Sequence, residues 1–110
     1  MKISTRKAYD VLVVDMEGRL DSSTSGYAYE ELVRIANGDD KQVLINLEKL
    51  EFITSAGLRS LLVAAKLLQN AGGQFKLCSA NAPVKQVLET SGFNSLLRLC
   101  PTESEAIKGF

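Results

Sequence analysis

From residue 11 onward, segments with the period of a strand alternate with segments with the period of a helix. Few architectures accept that alternation. A strand followed by a crossover helix returns parallel to its neighbour, so the chain is expected to build a mostly parallel sheet with helices packed on it. Residues 11–14 are β-branched or leucine, and the strand pattern continues past Gly18 to Leu20. The earlier residues 2–9 are short and mixed. They read as an edge strand joined to the next by a turn near Tyr9 and Asp10. Asp21, Ser22, Ser23, Thr24 and Ser25 form a cluster of helix-capping residues, followed by Ala28, Leu32, Ile35 and Ala36 at helical spacing. Asn37 and Gly38 then end that helix.

Residues 43–47 are an almost continuous apolar run, as suits a central strand covered on both faces. After Gly57, the residues Leu58, Leu61, Leu62, Ala65 and Leu68 mark one face of a strongly amphipathic helix. Gly72 and Gly73 stop it. Residues 75–78 read as a strand. Pro83 opens a short helix with Val84, Val87 and Leu88 on one side, closed by Gly92. Residues 96–100 read as a last strand, and Thr102 caps a terminal helix carrying Ala106 and Ile107. The expected order is β-β-α-β-α-β-α-β-α, an α/β fold with about four helices and an N-terminal edge strand. Its 110 residues suit one core and leave no room for two.

Charge and composition exclude several functions. The 13 basic and 13 acidic residues cancel, which leaves no basic surplus for nucleic acid. The chain has no histidine, and so lacks the commonest general base and a common metal ligand. No cofactor or metal is expected. No segment approaches the roughly 20 apolar residues that span a bilayer. Residues 1–10 lack the apolar centre of a signal peptide. A soluble cytoplasmic protein without direct membrane insertion is the expectation. The two cysteines, Cys78 and Cys100, read as buried thiols in strands, with a redox or metal pair as the alternative.

One segment carries chemistry: Phe52-Ile53-Thr54-Ser55-Ala56-Gly57-Leu58-Arg59. It leads from the central strand into the amphipathic helix. Its two hydroxyls fall where a helix start leaves backbone N–H groups unpaired and receives anions readily. Ser55 reads as a helix cap, as a site of modification, or as a nucleophile. The last lacks a partnering base and any G-x-S-x-G elbow, and no phosphate-binding glycine loop is present. Gly57 is expected to keep bulk away from an anion at this point. Tyr27 and Tyr29, two apart, cannot share a helix face, so one of them is expected to be exposed.

The run Val43-Leu44-Ile45-Asn46-Leu47, then Leu50-Glu51-Phe52-Ile53-Thr54-Ser55-Ala56-Gly57-Leu58, resembles the signature of STAS domains, the family of anti-sigma factor antagonists. Upstream, Gly18-Arg19-Leu20-Asp21 resembles the family's Gly-x-Leu-Asp. The resemblance covers nearly the whole chain and implies a single STAS domain over residues 1–110. It also implies an anti-sigma factor antagonist that is not an enzyme. Ser55 would be phosphorylated by a partner serine kinase that is itself the anti-sigma factor, and a serine phosphatase would reset it. Asp21, Thr54, Ser55, Ala56, Gly57, Leu58 and Arg59 would form the partner-binding surface. Two positions depart from the familiar pattern: Thr54 and Asn46 stand where aspartate is frequent. Thr54 is therefore an alternative phosphate acceptor. The competing readings are a non-catalytic STAS subunit of a signalling or transporter-associated assembly, and a small-molecule or nucleotide-binding module.

Overall fold

A computed structural model describes residues 1–92 and 96–110. The strands are β1 (Lys2–Ala8), β2 (Val11–Leu20), β3 (Gln42–Asn46), β4 (Leu50–Ile53), β5 (Gln74–Cys78) and β6 (Arg98–Cys100). The helices are α1 (Ser25–Ala36), α2 (Ser55–Asn70), α3 (Ala82–Thr90) and α4 (Glu103–Lys108). The strands lie in the order β1-β2-β3-β5-β6, and β4 pairs with β2 off that path. Among the described residues, β1 alone runs antiparallel to its neighbour; the other pairings are parallel. The two-residue turn at Tyr9 and Asp10 joins β1 to β2, with Tyr9 in the left-handed region at φ 58°.

Strand β4 departs from the sequence expectation, which placed a spacer between the central strand and the amphipathic helix. Its four residues are buried only at the ends, Leu50 and Ile53, while Glu51 and Phe52 face outward. That pattern is too short and too polar to register as a strand. It forms because β2 is ten residues long and serves two partners in succession. Residues 12–15 of β2 pair with β3, and residues 18–20 pair with β4. The register shifts between Gly18 and Arg19, where Gly18 holds φ +111° and its N–H donates to the Lys49 carbonyl at 3.1 Å. The handover brings the exit of β4 beside the exit of β2.

Period-two alternation divides the sheet's side chains between its faces. Val14, Met16, Val43, Ile45 and Leu77 point into the main core with the buried stripes of α1, α2 and α3. Val13, Leu44 and Cys78 point to the opposite face, which is covered by Ala106 of α4. The terminal helix therefore lies on its own side of the sheet.

A polar clamp holds that short helix in place. Arg6 of β1 donates to both carboxylate oxygens of Glu103, in α4's first turn, one bond measuring 3.1 Å. It also donates to Asp15 at 2.8 Å. The Asn46 amide donates to Glu103 at 2.9 Å. The Arg6 hydrogen bond, foremost, holds the Glu103 carboxyl below its ordinary range. Glu103 therefore contributes stability above the ordinary carboxyl pKa, and that contribution fades as pH falls through its lowered value. Glu103→Gln is expected to cost about 1 kcal/mol at neutral pH, a modest value because the clamp is partly exposed. Urea unfolding of parent and variant should show that gap closing as the solution is acidified. A gap independent of pH would contradict the charged clamp.

Candidate functional site

The junction of β4 and α2 forms against the end of β2. The Thr54 N–H donates to the Leu20 carbonyl at 3.0 Å, which pins the start of α2 to β2. Thr54 is the residue that caps the helix. Its backbone is extended, and its hydroxyl oxygen accepts from the Gly57 N–H at 3.3 Å. Ser55 is the first residue of α2, so the reading of Ser55 as a cap is corrected: one residue earlier lies the last extended position, from which a side chain can reach back over the first turn. Ser55 is exposed, and no described residue hydrogen-bonds its hydroxyl. The first turn of α2 holds no acidic side chain.

Gly57 does not face an anion site as the sequence suggested. It is buried, and a Cβ placed on it would lie 2.6 Å from both the side chain and the carbonyl oxygen of Leu20. Its role is close packing of α2 on β2. Leu58 is also buried, at 7% exposure, and belongs to the main core. Gly57 and Leu58 thus support the surface from beneath. Ser55 and Arg59 are exposed on it, with Thr54 and Ala56 partly so. Arg59 stands four residues after Ser55, and therefore on the same side of the helix.

Asp21 enters the region through its neighbour Leu20. Its carboxylate accepts from the Ser23 hydroxyl at 2.6 Å and from the N–H groups of Ser23 and Thr24 at 2.9 and 3.3 Å. These bonds, the Ser23 hydroxyl foremost, lower the Asp21 pKa, so the turn carries a fixed negative charge. The Arg19 guanidinium approaches Asp21 at 3.9 Å and lies 5.4 Å from the centre of the Phe52 ring. Phe52 is 40% exposed. Sequence reasoning missed Arg19 as a site residue, because its proximity depends on the pairing of β2 with β4. It named Phe52 only as part of the motif.

A shallow groove of about 410 Å³ adjoins the site between α1 and α2. Ser25, Gly26, Tyr29, Ala56 and Arg59 are among its lining residues. The buried Ser60 hydroxyl donates to the Ser25 carbonyl at 3.2 Å and ties the two helix starts together. Tyr27 and Tyr29 are each 45% exposed, where one exposed tyrosine was expected. They flank the buried stripe of Ala28, Leu32, Ile35 and Ala36, so neither enters the core. Among the described residues, no helix is long and apolar enough to cross a membrane.

These features define a small α/β domain of mixed sheet whose most chemically distinctive surface is an exposed serine at a helix start, bordered by arginine and an aromatic ring. The family model for the STAS domain matches residues 2–106, and the chain belongs to that family. It is 30% identical over 110 residues to a candidate anti-sigma factor antagonist of Bordetella bronchiseptica, BtrV, covering all of this chain and 95% of the relative. A solved anti-sigma factor antagonist from Mycobacterium paratuberculosis has a TM-score of 0.90 at 19% identity, over 98% of this chain and 92% of that one. The antagonist SpoIIAA in its unphosphorylated form matches with a TM-score of 0.78 at 23% identity, over 99% of this chain and 98% of that one. The phosphorylated form of Bacillus SpoIIAA matches with a TM-score of 0.72 at 21% identity, over 98% of each chain.

Proposed function

We propose that this protein is an anti-sigma factor antagonist that binds an anti-sigma factor with serine kinase activity, and that phosphorylation of Ser55 controls the binding. The observation that carries the proposal is the contrast between adjacent hydroxyls. Thr54 is committed to capping α2, while Ser55 is exposed with no described hydrogen-bond partner. The names of the relatives support the antagonist role, and a serine phosphatase would complete the cycle. Ser55, Ala56 and Arg59 make the direct contact, together with Thr54 and the Asp21 turn. Gly57 and Leu58 hold that surface in shape. The protein itself is not an enzyme, and its role is carried out in the cytoplasm.

A phosphate adds about −1.5 to −2 charges at neutral pH. At the start of α2 it meets the positive end of the helix dipole and no acidic neighbour in the first turn. The fold tolerates it. A partner pressed over the same position must desolvate it, which is the larger effect.

Incubation with the cognate kinase and ATP, followed by intact-mass measurement, tests the assignment. The parent and Thr54→Val are expected to gain one phosphate, and Ser55→Ala none. Because Thr54→Val removes the cap, it is expected to lose about 1 kcal/mol of stability while keeping its phosphorylation. Phosphate on Thr54, or incorporation into Ser55→Ala equal to the parent, would refute the Ser55 assignment.

A further inference from the structure

The face of the sheet beneath α4 holds a group of side chains unrelated to the Ser55 site. Cys78 of β5 and Cys100 of β6 are register partners on adjacent parallel strands. Such strands lie about 4.8 Å apart. That spacing falls inside the Cα separation of about 4.4–6.8 Å that a disulfide accepts. Partners in register also direct their side chains to the same face, and both cysteines pack in the small cluster under α4. Both are free thiols.

Their surroundings differ. Cys78 is completely buried, and burial, foremost, pushes its thiol up to about 11. Cys100 is half-buried, correcting the expectation of two buried thiols, because β6 is the sheet's short outer strand. Cys100 borders an open groove of about 620 Å³ with Ala80, Lys85, Glu89 and Pro101.

Two further features converge on the pair. Lys76, two residues before Cys78 on the same face, is only 2% exposed. Its ammonium donates to the Ala106 carbonyl at 3.3 Å and lies 4.4 Å from the centre of the Phe110 ring. Burial lowers the Lys76 pKa, and Cys100 acts against that shift, so the two groups are within electrostatic reach. Ser79, directly after Cys78, holds a left-handed backbone at φ 64°, and its N–H donates to the Cys100 carbonyl at 3.3 Å. The ladder between β5 and β6 thus continues one rung past the cysteine pair and holds the two strands together there.

We propose that Cys78 and Cys100 form an oxidation-sensitive dithiol that a peroxide converts to an intramolecular disulfide. The Cys100 thiolate attacks a peroxide oxygen. The S–O bond forms, the O–O bond breaks, and the departing oxygen takes a proton and leaves as water or alcohol. The resulting sulfenic acid is attacked by the Cys78 sulfur. The S–S bond forms, the S–O bond breaks, and the leaving hydroxide takes the Cys78 proton to give water. The two thiols lose two electrons and two protons together, and the peroxide is reduced.

Treatment of the full chain with hydrogen peroxide is expected to give a monomer lighter by about 2 Da, restored by a thiol reductant. Peptide mapping without reductant should join Cys78 to Cys100. Cys78→Ala should stop at a Cys100 sulfenic acid that dimedone captures. Cys100→Ser should react at least about tenfold more slowly, since the reachable thiol is gone. Circular dichroism of both variants checks that the fold is retained, and the parent result stands without them. A Cys100-linked dimer as the main product would overturn the proposal, as would sulfinic Cys100 beside an unreacted Cys78 or no change in mass.

Discussion

Replacing Gly57 with valine is expected to lower the stability of the fold by about 3 kcal/mol, the upper part of the range for overpacking a close contact. The added Cβ would lie 2.6 Å from the Leu20 side chain and equally close to its carbonyl oxygen. A leucine side chain can rotate away. The carbonyl cannot retreat so freely, because it accepts the Thr54 N–H that fastens α2 to β2. Relief of the clash therefore requires α2 to lift from the sheet at the point where Ser55 is presented. Alanine gains about 1 kcal/mol of helix propensity over glycine but meets the same carbonyl, so Gly57→Ala should still destabilise, by less than valine. Gly26, in the first turn of α1, provides the control: nothing lies within 4 Å of its added Cβ. Gly26→Ala is expected to be neutral or slightly stabilising. Urea unfolding midpoints for the three variants test this. A Gly57→Val midpoint equal to the parent's would remove the close-packing role.

Ser55→Asp should fold as the parent does and bind the proposed kinase partner roughly 100-fold more weakly, a loss of about 3 kcal/mol. The two halves of that expectation have separate causes. An acidic side chain at the first position of α2 interacts favourably with the helix dipole, by about 0.3–1 kcal/mol. An exposed substitution of this kind otherwise shifts stability by about 0.5 kcal/mol or less. At a docked interface the carboxylate is stripped of water, and an uncompensated charge there costs several kcal/mol. Ser55→Asn separates charge from shape, because it has nearly the size of aspartate and no charge. It should bind more tightly than Ser55→Asp. Calorimetric affinities that place Asp and Asn together would show that shape alone controls docking. Equal affinity for Ser55→Asp and the parent would sink the switch altogether.

Much of this protein was legible in its sequence because the relevant signals are local. The apolar stripe of α2, the proline that opens α3 and the Thr102 cap before α4 are read from residues within one or two turns of each other. The alternation of periods supplied the α/β class. The paired hydroxyls at Thr54 and Ser55 marked the start of α2 as the candidate site. β4 was not legible, because two outward residues between two buried ones resemble a loop. It becomes a strand only when the second half of β2 offers it unpaired backbone. The division of labour between adjacent hydroxyls was hidden for a related reason, since which of the two is the last extended residue follows from the pairing of Thr54 with the end of β2.

The sequence by itself determined the elements other than β4, their relative order and the candidate segment at the start of α2, since each depends on interactions between residues near in the chain. Only the tertiary structure decided that Gly57 is a packing glycine and that Leu58 lies under the surface. It alone assigned α4 to the second face of the sheet and set Cys78 opposite Cys100. Each of these depends on strand register and on contact between residues far apart in the chain. Hydrophobic periodicity states which side chains are apolar, but not which distant backbone they will meet.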